Sequence, residues 1–156
     1  MVAQYVKKRI GDNSKIIVHG ISLGGAIASH IAAKGLCDLV VCDRTFGSLS
    51  EVPRALIGSW ATIGLKFLFE WDTDSTQDYY YSNCYKIIAT DPNDEIISDG
   101  SSMKTMLSKL IILKEKSHIE LSKRVNSVSF ESEHVQHILT NNEMSQLFEL
   151  FAAIYQ

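Results

Sequence analysis

Residues 15–26 read Lys-Ile-Ile-Val-His-Gly-Ile-Ser-Leu-Gly-Gly-Ala. Lys15 to His19 is a short β-branched run, too short for a helix and apolar on both faces, which predicts a central strand of a parallel sheet. Ala26 to Lys34 is alanine-rich and predicts a helix, closed by Gly35 in a C-cap position. The turn between them, Gly20 to Gly25, spells G-x-S-x-G in a strand-turn-helix setting, the context that makes Ser22 a candidate nucleophile. Such a turn forces its central residue into strained backbone angles, and glycines flank it because a Cβ there would meet the neighbouring strand and helix. Ser22 Oγ is then expected to stand above the sheet. The helix starting at Leu23 aims free amides and its positive dipole end at the same spot, so the Leu23 N–H is the candidate oxyanion donor. A phosphate cradle is the rival reading, but the P-loop lysine and the G-x-G-x-x-G spacing are both missing.

Outward from this turn, Leu39 to Cys42 predicts the next strand and Tyr85 to Ala89 a third. Strand, helix and strand in succession imply right-handed crossovers and a parallel sheet covered on both faces. Upstream, Val2, Tyr5, Val6 and Ile10 fall at helical spacing, and Gly11-Asp12-Asn13-Ser14 ends that helix. Ala55 to Trp71 is apolar apart from Lys66, Glu70 and a few small polar residues; its lysine and two glycines favour a buried cap helix over a membrane span. Ser101 to Lys109 reads as helix, Leu110 to Leu113 as its continuation or a short strand, and Val125 to Phe130 as another strand. Met144, Leu147, Phe148, Phe151 and Ile154 form one stripe of a helix from Glu143 to Tyr155.

The chain has 156 residues, 46% of them hydrophobic, which suits one domain with a real core. Its net charge of -3 comes from 18 acidic and 15 basic residues that are interspersed, so no basic face favours nucleic acid. Cys37, Cys42 and Cys84 are an odd number without CxxC spacing, pointing to neither a zinc site nor a disulfide framework and to a reduced, cytoplasmic setting. The opening MVAQYVKKRI lacks the apolar run of a secretory signal.

The segment 15–26 resembles the nucleophile region of the α/β-hydrolases, especially eukaryotic serine hydrolases related to monoacylglycerol lipase and serine aminopeptidase-like members. Leu39-Val-Val-Cys-Asp-Arg-Thr-Phe-Gly-Ser-Leu49 and Lys86-Ile-Ile-Ala-Thr-Asp-Pro-Asn-Asp-Glu-Ile-Ile97 fit the same family, the second as the strand and loop bearing the triad acid. The resemblance implies a serine, acid, histidine order. Asp94 is the candidate acid, with Asp91 and then Asp43 behind it; each could instead cap a turn. His134, after the Val125 to Phe130 strand, is the candidate base. His118 is the rival if Leu110 to Lys114 is the last strand, and His137 is a third choice; His19 and His30 read as structural.

Family members carry several strands before the nucleophile turn, including the loop with the second oxyanion amide, whereas one helix precedes it here. The expected fold class is therefore a partial α/β-hydrolase, a mostly parallel sheet flanked by helices and lacking the N-terminal strands. Residues 1–156 would form its C-terminal portion, with a lid-like apolar insertion at about 50–80. The expected activity is hydrolysis of an ester or thioester of an apolar acyl group by Ser22, Asp94 and His134, with no metal or organic cofactor. A peptidase would use the same triad. The competing class is a catalytically inactive interaction module, whose open sheet edge invites a protein partner or self-association. The stretch 55–71 offers a surface for membrane contact.

Overall fold

The computed structural model describes residues 2–11, 14–48, 74–91, 94–115, 125–129 and 140–155. Helix α1 (Val2–Ile10) leads to β1 (Ile17–Ile21), α2 (Leu23–Ala33) and β2 (Leu39–Asp43). Helix α3 (Ser75–Tyr81), β3 (Tyr85–Thr90), a 3-10 turn (Asp99–Ser101), α4 (Met103–Glu115), β4 (Val125–Ser129) and α5 (Asn141–Tyr155) follow. The four strands form one sheet in the order β1-β2-β3-β4. Every pair is parallel, with Ile17 opposite Leu39, Leu39 opposite Tyr85 and Lys86 opposite Val125 at the amino-terminal ends.

The sheet is covered on both faces, as period-two alternation along β2 requires. Val40 and Cys42 point to one side and pack with Ala28 and Ala32 of α2, Tyr79 of α3, and Met103 and Leu107 of α4. Leu39 and Val41 point to the other, with Ile87, Ala89 and Leu147 of α5. Each fully buried aliphatic side chain here contributes about 1.5 to 3 kcal/mol. The three cysteines are buried free thiols. Cys37 and Cys84 lie with their sulfurs 4.0 Å apart.

Several boundaries differ from the sequence expectations. Strand β1 begins two residues later than Lys15, because the Ile16 N–H is taken by the Asp38 carboxylate at 2.8 Å rather than by a ladder partner. It is also not a strand buried on both faces: Ile17 is 43% exposed, and β1 is the edge of the described sheet. Leu110 to Leu113 continues α4 rather than forming a strand. The short apolar run was ambiguous between the two; as helix it sets Ile111, one turn beyond Leu107, against the same core cluster. Helix α3 carries no apolar periodicity and has no sequence expectation; its local signal is Asp74, whose carboxylate accepts the Gln77 N–H at 3.0 Å and the Gln77 amide at 2.7 Å. The C-cap at Gly35 is as expected: φ is 66°, Gly35 N–H donates to Ala32 and Leu36 N–H to Ile31. The expected lid at about 50–80 lies mostly outside the described residues, which resume at 74. Among the described residues no helix is long and apolar enough to cross a membrane.

Candidate active site

The turn expected over Gly20 to Gly25 is a single residue long, since β1 ends at Ile21 and α2 begins at Leu23. Ser22 makes it with φ 52° and ψ -119°, a left-handed conformation that costs a non-glycine residue about 1 to 3 kcal/mol. Two backbone bonds hold it there: Ser22 N–H donates to the Asp43 carbonyl at 2.9 Å, and Gly25 N–H donates to the Ser22 carbonyl at 3.1 Å. A serine before a helix ordinarily caps it with its hydroxyl, but Ser22 makes no such bond. Its angles are not those of a cap.

The glycines around Ser22 are not equivalent. A Cβ on Gly20 would lie 2.1 Å from the Gly24 carbonyl oxygen, and one on Gly25 would lie 1.8 Å from Thr45 Oγ1. A Cβ on Gly24 would meet nothing within 4 Å. The expectation that the motif's flanking glycines are sterically required therefore holds for Gly20 and fails for Gly24; the second required glycine is Gly25, because strand β1 and the chain after β2 press on opposite sides of the first turn of α2. Leu23 opens α2, so its amide belongs to the first turn, at the positive end of the helix dipole.

The adjacent strand end is more deeply buried. Residues 41–47 are all buried although β2 stops at Asp43. Arg44 Nε donates to Asp43 Oδ1 at 2.8 Å and Nη2 to Oδ2 at 3.3 Å, with both side chains about 98% shielded from solvent, at 1% and 2% exposure. His19 Nε2 lies 3.4 Å from the same carboxylate. Burial pushes the Asp43 carboxyl up, but hydrogen bonds from His19 and Arg44 and the Arg44 charge outweigh it and hold the group below its ordinary value. Thr45 Oγ1 donates to the Asp43 carbonyl at 3.1 Å, Met103 N–H to the Thr45 carbonyl at 2.8 Å, and Gly47 N–H to Ser101 at 2.9 Å.

The sheet's third strand end carries the carboxylates expected to supply an acid. Asp91 is buried directly after β3. Asp94 follows, its N–H donating to the Asp91 carbonyl at 3.3 Å, and its Oδ1 accepts from Ile96 N–H at 2.9 Å and Ile97 N–H at 2.8 Å. Asp94 thus does cap a turn, and both bonds fall on one oxygen, which fixes the carboxylate's orientation.

In a parallel sheet all of these segments leave from the same carboxyl edge: Ser22 and Leu23 after β1, Asp43 after β2, Asp91 and Asp94 after β3. His134, His118 and His137 lie outside the described residues. Strand β4, at Val125–Ser129, precedes His134 in the chain, while the segment before His118 is helix α4, which removes the strand on which the His118 alternative depended. His19 is paired with Asp43 and His30 with Asp78 at 3.0 Å, so both histidines of the first half have carboxylate partners. Sequence reading missed the Asp43, Arg44, His19 and Thr45 cluster. Its one legible trace is an Asp-Arg pair placed directly after an all-apolar strand.

No family model matches the sequence, and no curated protein matches it. Solved structures do match. An esterase of Pyrococcus furiosus superposes with a TM-score of 0.65 at 15% identity over 96% of this chain and 58% of its own. An acylaminoacyl peptidase of Pyrococcus horikoshii gives 0.63 at 15% identity over 99% and 25%. Acyl-protein thioesterase 2 of Zea mays gives 0.54 at 15% identity over 99% and 62%. The chain therefore has part of the α/β-hydrolase fold, and spans between about a quarter and just over three fifths of these neighbours.

Proposed function

We propose that the chain is the C-terminal portion of a serine hydrolase acting on an ester or thioester of an apolar acyl group. The observation that carries this reading is Ser22 alone between strand and helix at φ 52° and ψ -119°, with Gly20 and Gly25 packed too closely around that turn to carry a Cβ. Ser22 Oγ would attack the acyl carbonyl, and the Leu23 N–H would hold the developing oxyanion. His134 would take the serine proton and pass it to the leaving group. Asp94, oriented in part by the Ile96 and Ile97 amides that its Oδ1 accepts, would hold the imidazole in the working tautomer. The named activities of the matching structures, esterase, thioesterase and acylaminoacyl peptidase, support acyl transfer as the chemistry. An apolar lid over 55–71, a cytoplasmic setting and contact with a membrane surface belong to the same proposal.

The test is labelling of the intact chain with a fluorophosphonate. Ser22 is expected to be modified and Ser22→Ala to be silent; labelling that persists in Ser22→Ala overturns the assignment. His134→Ala should then lower hydrolysis of a short p-nitrophenyl ester by about three or more orders of magnitude, while His118→Ala leaves it within a few fold.

A second reading, a catalytically inactive α/β-hydrolase portion serving as an interaction module, is favoured by one observation. Strand β1 is the edge of the described sheet and leaves Ile17 43% exposed. An unreactive Ser22 together with concentration-dependent association by light scattering would favour it.

A further inference from the structure

The geometry points to Arg44 as a positioning residue that sets the candidate nucleophile and the candidate acid relative to each other, an inference that rests on the hydrolase reading above. Arg44 stands at the carboxyl end of β2, the strand between the one that carries Ser22 and the one that carries Asp94. Its backbone faces one neighbour: Arg44 N–H donates to the Ala89 carbonyl of β3 at 2.9 Å, shortly before Asp91 and Asp94. Its side chain acts on the other. The guanidinium grips Asp43 through Nε and Nη2, and the Asp43 carbonyl is the acceptor of the Ser22 N–H at 2.9 Å. One residue thus ties the acid's strand to the residue that holds the serine turn.

Two features say that this arrangement does more than fill space. Arg44 has φ 44°, a left-handed conformation that a long side chain rarely adopts, so the surrounding contacts hold it against its own preference. A fully desolvated ion pair also adds little net stability relative to an apolar pair of the same volume, because desolvation offsets most of the attraction. What a fork of two parallel N–H bonds does supply is direction. Here it fixes the peptide between Asp43 and Arg44, whose carbonyl accepts from Ser22 while its own N–H donates to Ala89.

Arg44→Gly separates the two contributions, since glycine accepts the positive φ while the side chain, guanidinium and stem, is lost. In the full chain, kcat for a p-nitrophenyl ester and the fluorophosphonate labelling rate should fall tenfold or more, with KM changed less than twofold. Millimolar guanidinium ion should restore part of the lost kcat by filling the vacated space, which a general loss of folding would not permit. Arg44→Lys, which keeps the charge and loses the fork, should fall between the two. An inert wild-type chain overturns the hydrolase reading and this inference with it. A reactive wild-type chain whose Arg44→Gly or Arg44→Lys form turns over equally fast, or whose Arg44→Gly loss is untouched by guanidinium, overturns only the role of Arg44.

Discussion

Strands β1 and β2 run side by side, and each ends in a non-glycine residue with positive φ, Ser22 at 52° and Arg44 at 44°. The two turns are otherwise opposites. The first is bracketed by glycines, lies at the sheet edge and leaves Ser22 partly accessible. The second is buried from Val41 to Gly47, is held by an ion pair and side-chain bonds to backbone, and contains no glycine until Gly47. Here the strained Ser22 turn is accommodated by glycines that leave room around it, whereas the strained Arg44 turn is held by an ion pair and a hydroxyl. The pairing matters because the turns touch. Thr45 of the second sits where a side chain on Gly25 of the first would go, and Asp43 accepts the Ser22 N–H.

The largest effect that would sharpen this contrast is at Gly20. Gly20→Ala drives a Cβ into the Gly24 carbonyl at 2.1 Å, where no flexible side chain can yield, and should cost more than about 4 kcal/mol or prevent folding. Gly24→Ala, in open space within α2, should be neutral or stabilising by up to about 1 kcal/mol. Denaturant melts of the two variants check this, and similar losses in both would break the distinction drawn between the glycines.

A middle-sized effect concerns contact between the turns. Gly25→Ala meets Thr45 Oγ1, Cγ2 and Cβ at 1.8, 2.6 and 2.7 Å, so its cost should be reduced in the presence of Thr45→Ala, which removes the first two atoms. A double-mutant cycle should return a coupling of about 0.5 to 3 kcal/mol in the favourable sense. Strict additivity would mean that the two turns are independent.

The smallest effect is one of pH. Asp43 titrates below its ordinary value of 3.8 in the folded chain, so the stability it contributes is present above that value and is lost as pH falls through the lower folded one. Asp43→Asn should destabilise the chain near neutrality and flatten the acid limb of a plot of Tm against pH below about 4. An unchanged acid limb would show that His19 and Arg44 do not hold the charge.

The difference between the two turns also explains what could be read early. Ser22 was legible because its environment is written locally, in glycines within three residues and in a β-branched run followed by an alanine-rich one. The parallel strands Leu39–Asp43 and Tyr85–Thr90 were legible for the same reason, each being a short apolar run of strand length. Arg44 was not. A positive φ at arginine has no compositional mark, and its partners His19 and Ala89 are distant in sequence. Helix α3 was hidden because Tyr79, fully buried against Ala28 and Met103, is followed by two more tyrosines that blur any periodicity. Asp94 lay between: sequence placed it after a strand, and the fold supplied the Ile96 and Ile97 amides that its carboxylate accepts.

By itself the sequence determined the order of the strands and of the helices other than α3, a parallel sheet with helices on both faces, and a serine at a forced turn, because these follow from side-chain period and glycine placement within a few residues. Tertiary structure alone decided which glycines have no room for a Cβ, that β1 is the edge of the described sheet and β2 lies within it, and that Asp43 is paired with Arg44 and His19. Each of these depends on which distant atoms come within a few ångströms of a given Cβ or carboxylate. Such distances are set by strand pairing and helix packing, not by the spacing of residues along the chain.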